Sequence, residues 1–304
     1  MKTAAEIRAA LSGPVPSVRT PFHQDGNIDY AALHHMIEFT LEAGAKAVVL
    51  TAGDSHLLAL SDQEIAALTK AVAGQVRGRA LVVAADRYHD TKHAIAFADY
   101  AAGVGADVLM VLPPDWAASC TPESLAVHYA AVARHIPVML VTNLFIPRGA
   151  AFGLETVRRA LELSPNIVSI KDDMVGDFAR KLGLLAHERC ALWAGGQKQN
   201  HLNMAPYGCV GYLSTFLTFK PEIAWAYWKA WASGDVAGAV AVIRDYDIPF
   251  FQAVSGCVGG FDAGIHGVLE LKGFAGRWRP QPYHSLTDAE MERLKGTMKD
   301  AGWL

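Results

Sequence analysis

Short apolar runs alternate with longer stretches of helical periodicity along almost the whole chain. Eight runs read as strands: Val15 to Arg19, Ala47 to Leu50, Ala80 to Ala84, Val108 to Leu112, Val138 to Val141, Ile167 to Ile170, Ala191 to Ala194 and Val210 to Leu213. Between them lie helical patterns such as DYAALHHMIEFTLEAG, SDQEIAALTKAVAGQV, DTKHAIAFADYAAGVG and PESLAVHYAAVARH. Ser61 followed by Glu64 has capping-box spacing, and Gly44, Gly105 and Gly208 fall where helices should end. Strands that alternate with helices in this way form a parallel sheet, and eight such units predict a (β/α)8 barrel. The competing fold, a doubly wound open sheet that binds a dinucleotide, would carry a GxGxxG turn after an early strand. None occurs there.

A barrel needs one helix after its eighth strand, yet about 85 residues follow position 219. PEIAWAYWKAWASGD, VAGAVAVIRDY, the segment around AGIHGVLELKGF, and TDAEMERLKGTMKDAG all read as helices. The expected organisation is therefore a barrel with a short N-terminal helix over 1–219, and its last helix with a helical C-terminal extension over 220–304. Trp225, Trp228 and Trp231 have helical spacing, which predicts packing or an oligomer contact.

Composition narrows the class of partner. Hydrophobic residues make up 52% and charged residues 19% of 304, the formal net charge is -3, and no basic block is present. Nothing here is an electrostatic footprint for nucleic acid, so a small molecule is the expected partner. MKTAAEIRAALSG lacks the apolar core of a signal peptide, and the apolar runs stop short of the roughly 20 residues that span a bilayer. The expectation is a cytoplasmic protein with no membrane association. Four scattered cysteines, Cys120, Cys190, Cys209 and Cys257, show neither a disulfide framework nor CxxC metal spacing.

Chemistry in such barrels sits just past the C-terminal ends of the strands. There the chain places TAGDSH after strand two, DRYHD after strand three, PPDW after strand four and TNLFIPR after strand five. NIVSIKDD closes strand six, and GGQKQN and STF follow strands seven and eight. Lys171 is the sharpest of these candidates. An amine desolvated at the end of a central strand is expected to lose its proton readily and attack a carbonyl, forming a Schiff base that serves as an electron sink. The plainer reading is an ion pair with Asp172 or Asp173 at the barrel rim.

NIVSIKDD resembles the lysine strand of the dihydrodipicolinate synthase and N-acetylneuraminate lyase family of Schiff-base aldolases and dehydratases. VPSVRTPFHQDGNID is similar to that family's opening strand, TAGDSHLLALSDQE to its GTTGE segment, GGQKQN and GCVGYLSTF to strands seven and eight, and HSLTDAEMERLKGTMKDAG to its closing helix. The resemblance implies that Lys171 forms an imine with pyruvate or a related 2-keto acid. It also implies that the turn of Thr51, Ala52 and Gly53, with Asp54 and His56 beyond it, binds the substrate carboxylate through backbone N–H groups. No cofactor is implied, and family members are usually homo-oligomers, dimers or tetramers.

The chain departs from the family at the proton relay. Counted from Gly149, the strand-five tyrosine position holds Thr142; counted from Pro137, it holds Val141. The motif's second threonine is Ala52, its first glycine is Leu50, and the paired tyrosines after strand four are replaced by Pro114 and Asp115, with Trp116 adjacent. This argues for a divergent branch rather than dihydrodipicolinate synthase proper. Thr142, Tyr88 and His89 become the candidate acids and bases beside Lys171, although DRYHD also reads as a solvated loop in which Asp90 caps the next helix. Arg148 lies one residue from the family's carboxylate-binding arginine. Asp115, Trp116, Asn143, Phe145, Gln197 and Ser214 are expected to shape the pocket. Asp54, His56, Asp86 and His89 are of metal-ligand type but match no metal motif. A barrel that binds a keto acid without turning it over remains the other reading.

Overall fold

The computed structural model describes residues 2–303. Eight strands form one parallel sheet: β1 (Gly13–Val15), β2 (Ala47–Val49), β3 (Leu81–Tyr88), β4 (Val108–Leu112), β5 (Val138–Val141), β6 (Ile167–Asp172), β7 (Ala191–Ala194) and β8 (Cys209–Leu213). Their order is β1-β8-β7-β6-β5-β4-β3-β2. The seam between β1 and β2 is bridged at Ser17 and Val49, where the Val18 N–H donates to the Val49 carbonyl at 2.8 Å. The sheet is thus a nearly closed (β/α)8 barrel, with helices covering its outside.

Three strands differ from the sequence pattern by more than one residue. The regular part of β1 lies earlier than Val15 to Arg19, because Pro14 and Pro16 have no N–H to donate to a ladder and the residues after Val15 pair only through the bridge at Ser17. β3 continues four residues past Ala84. An irregular register between Ala85 and Tyr88 against β4 keeps it in the sheet, so Tyr88 belongs to a strand rather than to a solvated loop. β6 runs through Lys171 to Asp172 and pairs on both sides, with Val141↔Lys171 and Lys171↔Trp193.

The helices are α1 (Ala4–Ala10), α2 (Tyr30–Glu42), α3 (Asp62–Val76), α4 (Thr91–Val104), α5 (Pro122–Val132), α6 (Ala150–Leu163), α7 (Gly176–Ala186) and α8 (Gln197–Met204). α9 (Pro221–Ala232), α10 (Val236–Val242), α11 (Ile248–Ser255), α12 (Gly260–Leu271) and α13 (Asp288–Asp300) follow β8. The Ser61 and Glu64 capping box opens α3, and Asp90 caps α4 by accepting from the His93 N–H. Gly105 closes α4 with φ +103°, a conformation that an L side chain would oppose.

The tryptophan stripe on α9 packs inside the chain. Trp225 Nε1 donates to the Ala43 carbonyl at 2.8 Å, the Trp228 ring lies against Gly13, and Trp231 meets the His201 ring edge-on. α11 was not apparent in the periodicity, because IPFF is an unbroken apolar run containing a proline. Pro249 sits in the first turn, where no N–H is needed. A wider π-type turn over Ile243–Asp247 joins α10 to α11 and carries Asp247 inward. There Asp247 meets Lys198 of α8 at 2.6 Å, with both side chains fully buried and the ammonium 4.4 Å from the Phe216 ring centroid. A second apolar cluster that includes Phe216, Phe250, Ile265 and Trp303 cements these helices to α2 of the barrel.

Asp247→Ala is expected to destabilise the protein by about 3–5 kcal/mol, since it strands a buried ammonium, while Lys198→Met with Asp247→Leu should cost less. Urea titrations of the two variants test this. Burial holds the imidazoles of His128 and His201 at a pKa of about 4, below the usual 6.5. The unfolded chain therefore takes up their protons first, so stability is full above pH 6.5 and is lost as pH falls towards 4. At pH 5 each should cost roughly 2 kcal/mol, and His201→Phe should flatten the urea midpoint between pH 7 and 5.

Candidate active site

At the C-terminal mouth of the barrel a cavity of about 180 Å³ opens above the strand ends. Its polar walls are Thr51, Asp54, Asn143 and Lys171, with backbone from Ala52 and Gly53; Met110, Leu112, Val141 and Leu213 form the apolar floor. The sequence placed Lys171, the turn and Asn143 in one site, and the structure brings them to one cavity. Five non-glycine residues in the loops that follow the strands, His56, Ala117, Ala118, Val175 and Gln197, have positive φ angles of 54°, 51°, 58°, 54° and 61°. Backbone strain is thus gathered on the face where chemistry is expected.

The two aspartates behind Lys171 divide two tasks. Asp172 is fully buried and turned away from the lysine. It accepts from the Thr142 hydroxyl at 2.7 Å and from the N–H groups of Met174 and Val175 at 3.2 and 3.0 Å, so it fixes the chain entering α7. Burial raises its carboxyl above the usual carboxylate range, against these hydrogen bonds. Asp173 faces the lysine: both of its carboxylate oxygens lie 2.6 Å from Lys171 Nζ. The ion-pair reading of the sequence is therefore realised, with Asp173 as the partner. Lys171 itself is only 7% exposed.

Gly195 makes this pair possible. A Cβ there would lie 1.7 Å from Asp173 Oδ1 and 2.7 Å from Lys171 Nζ. The Thr142 hydroxyl, besides donating to Asp172, accepts from the Asp173 N–H at 2.8 Å. It braces the loop under the lysine.

The turn after β2 is tied down on one side and open on the other. The Thr51 N–H donates to Ser55 Oγ at 3.0 Å, the Asp54 N–H donates to Thr51 Oγ1 at 3.1 Å, and Ser55 Oγ donates to the Val18 carbonyl. No acceptor for the Ala52 or Gly53 N–H is present among the described residues. Two backbone donors at a cavity wall suit a carboxylate, because they bind an anion without adding a buried charge. Asp54 accepts from Ser17 Oγ at 2.5 Å and pairs with Arg19 at 3.2 Å.

His56 faces away from the cavity. Its Nε2 lies 3.1 Å from His266 Nε2 and 3.3 Å from Asp262, both on α12. Asp262 also takes Arg19 at 2.9 Å and Arg279 at 2.7 Å. His56, Asp262 and His266 are of metal-ligand type and lie within reach of one another. Two guanidiniums already neutralise the carboxylate, however, so the group closes as a polar latch between barrel and extension. The set Asp54, His56, Asp86 and His89 weighed from the sequence is not assembled: Asp86 is buried and accepts from the Leu112 N–H, and His89 lies beside His93 on α4.

A second, wider cleft adjoins the first and shares Asn143 with it. Tyr88, Asp115, Trp116 and Arg148 line this cleft. The fork of Arg148 is occupied by Asp115 at 2.5 Å and the Cys120 carbonyl at 3.1 Å, and its guanidinium lies over the Phe152 ring. Trp116 is 87% exposed. Phe145 is buried in the barrel wall. Gln197 hydrogen-bonds Thr215 at 3.0 Å, and Ser214 donates its N–H to Val15. Sequence reasoning left the choice between Asp172 and Asp173 open and missed Asp262. The choice was signalled by the glycine of GGQKQN that leaves room for Asp173; Asp262, some two hundred residues from the turn it holds, had no local signal.

The family model described as the dihydrodipicolinate synthetase family matches residues 10–301. A "4-hydroxy-tetrahydrodipicolinate synthase" of Acidothermus cellulolyticus is 31% identical over 303 residues, covering 98% of this chain and 95% of its own. The "Probable 2-dehydro-3-deoxy-D-pentonate aldolase YjhH" of Escherichia coli is 26% identical over 236 residues, covering 76% of this chain and 78% of its own. The structure of YagE from Escherichia coli, described as a prophage protein of the dihydrodipicolinic acid synthase family in complex with pyruvate, superposes with a TM-score of 0.82 at 22% identity. It covers 96% of this chain and 99% of that one, and shows the same barrel. The chain belongs to the dihydrodipicolinate synthetase family and, with it, to the lyases of the class I aldolase type.

Proposed function

We propose that the protein forms an imine between Lys171 and pyruvate or a related 2-keto acid, and then makes or breaks a carbon–carbon or carbon–oxygen bond beside it. The observation that carries this reading is the meeting, in one cavity, of a buried amine and a turn whose Ala52 and Gly53 N–H groups are free to take a carboxylate. A 2-keto acid spans those two features with its carboxylate on the turn and its carbonyl at Nζ. The iminium draws electrons from the neighbouring carbon, which is what aldol cleavage, condensation and dehydration share. No tyrosine stands at Val141 or Thr142, and Thr142 spends its hydroxyl on Asp172. We therefore read the chain as a divergent branch of the family rather than dihydrodipicolinate synthase proper.

Asn143, which lines both cavities, would meet the second substrate, whose remainder would lie in the cleft of Tyr88 and Trp116. Cytoplasmic location and a dimer or tetramer of identical chains complete the reading; association would cover an exposed apolar side chain such as Leu184. No helix in the described residues is long and apolar enough to cross a membrane.

Incubation with pyruvate, borohydride reduction and peptide mass spectrometry should place a stable adduct on Lys171, and Lys171→Ala should give none. A chelator should leave trapping unchanged. If the folded protein gives no adduct with pyruvate or with a panel of 2-keto acids, the Schiff-base reading is wrong.

A further inference from the structure

We propose that Asp173 is a catalytic acid/base of this site and carries the protons of imine formation in place of the strand-five tyrosine. The inference rests on the Schiff-base reading and adds to it the group that moves the proton. Both oxygens of Asp173 lie 2.6 Å from Lys171 Nζ, within the range required of a proton-transfer partner. Lys171 lines the cavity, and the Asp173 side chain beside it is about one-fifth exposed, against 9% for that of Lys171, so the carboxylate is the more open member of the pair. The other candidates are otherwise engaged. The Thr142 hydroxyl is held between Asp172 and the Asp173 backbone, His56 is turned into the latch with Asp262 and His266, and Tyr88 lines the neighbouring cleft. Asp54, across the cavity, is paired with Ser17 and Arg19.

The chemistry balances with this one group. Asp173 takes a proton from the Lys171 ammonium, and the freed amine attacks the keto carbon. The carboxylic acid returns that proton to the carbonyl oxygen, giving a carbinolamine whose nitrogen keeps two protons. Asp173 then removes one of these and delivers it to the carbinolamine hydroxyl. That group leaves as water while the nitrogen lone pair forms the iminium. An ammonium and a ketone have become an iminium and a water, and Asp173 is a carboxylate again. The oxygen that must be protonated is two bonds from Nζ, so a carboxylate in contact with Nζ reaches it without rearrangement.

Gly195 and Thr142 hold the geometry. A side chain at 195 would occupy the place of Asp173 Oδ1, and the Thr142 hydroxyl accepts from the Asp173 N–H. The charged groups that face Asp173 are Lys171 in contact with it and Asp172 one residue behind; the Coulomb effect of Asp173 on Asp172 helps keep the latter's carboxyl raised.

Timed borohydride trapping with pyruvate on wild type, Asp173→Asn and Asp173→Ala tests the assignment, with circular dichroism confirming that each variant is folded. The expected result is a rate of adduct formation on Lys171 lower by about 10²–10⁴-fold in both variants. In Asp173→Asn that rate should rise with pH between about 6 and 9, as solvent takes over the proton, more steeply than in wild type. Formate should restore part of the rate to Asp173→Ala, which a merely structural ion pair would not allow. Folded variants that trap pyruvate at the wild-type rate, or a slow Asp173→Ala that formate does not rescue, would overturn the role of Asp173 and leave the Schiff base standing. A wild-type protein that never forms an adduct would remove both.

Discussion

An ammonium at the end of an inner barrel strand has little water to solvate it, and a charge so placed must be met by an opposite one within hydrogen-bonding reach. Here the charge is Lys171, the opposite one is Asp173, and the rest of the mouth is arranged so that the two can touch. Gly195 leaves the space, Thr142 holds the backbone of Asp173, and Asp172 fixes the turn into α7 by accepting two N–H groups and one hydroxyl. The KDD sequence thus contains one buried ammonium, one anchor and one partner. Their order matters: strand alternation turns Asp172 away from the cavity, and only the residue after it folds back onto the lysine.

The same accounting explains why the barrel does not end with its eighth helix. The turn that presents the Ala52 and Gly53 N–H groups is held from behind by Asp54 on Arg19, Arg19 on Asp262, and Asp262 on Arg279. Two of these four residues come from the C-terminal extension. Lys198, in α8 just after β7, is neutralised by Asp247, again from the extension. Loops at the mouth of a barrel are its least restrained part. In this chain the helices after β8 supply the counter-charges that hold them.

What was legible in the sequence follows from the range of each signal. Strand and helix alternation is local, so all eight strands and most helices could be read; the errors came where proline removed a donor in β1 or where an irregular register prolonged β3. Lys171 was legible because a lysine ending an apolar run is anomalous by itself. The turn at Thr51 was legible through resemblance, since what it offers the cavity is backbone and its side chains have changed. Asp262, His266 and Asp247 were not, because each acts on a residue between 49 and about 240 positions away, and no periodicity encodes a contact between a loop and a distant helix. Arg148 shows the converse: the residue type suggested a carboxylate anchor, while its fork in the structure is filled by Asp115 and the Cys120 carbonyl.

The latch behind the turn also bears on which groups can handle protons near neutral pH. Arg19 and Arg279 balance Asp54 and Asp262, so the cluster is neutral only if both imidazoles are neutral. Burial, with the two arginines beside it, holds the pKa of His56 down at about 4 and pushes that of His266 well below the usual histidine value. A histidine so depressed is uncharged across the neutral range and, turned from the cavity, has no substrate to meet. The histidine nearest the Thr51 turn in sequence is thereby reduced to a structural contact, and no tyrosine stands at Val141 or Thr142. On the Schiff-base reading the proton must still leave the ammonium and reach the departing oxygen. Only a group touching Nζ meets both demands, and among the described residues the carboxylate of Asp173 is the titratable group in contact with it.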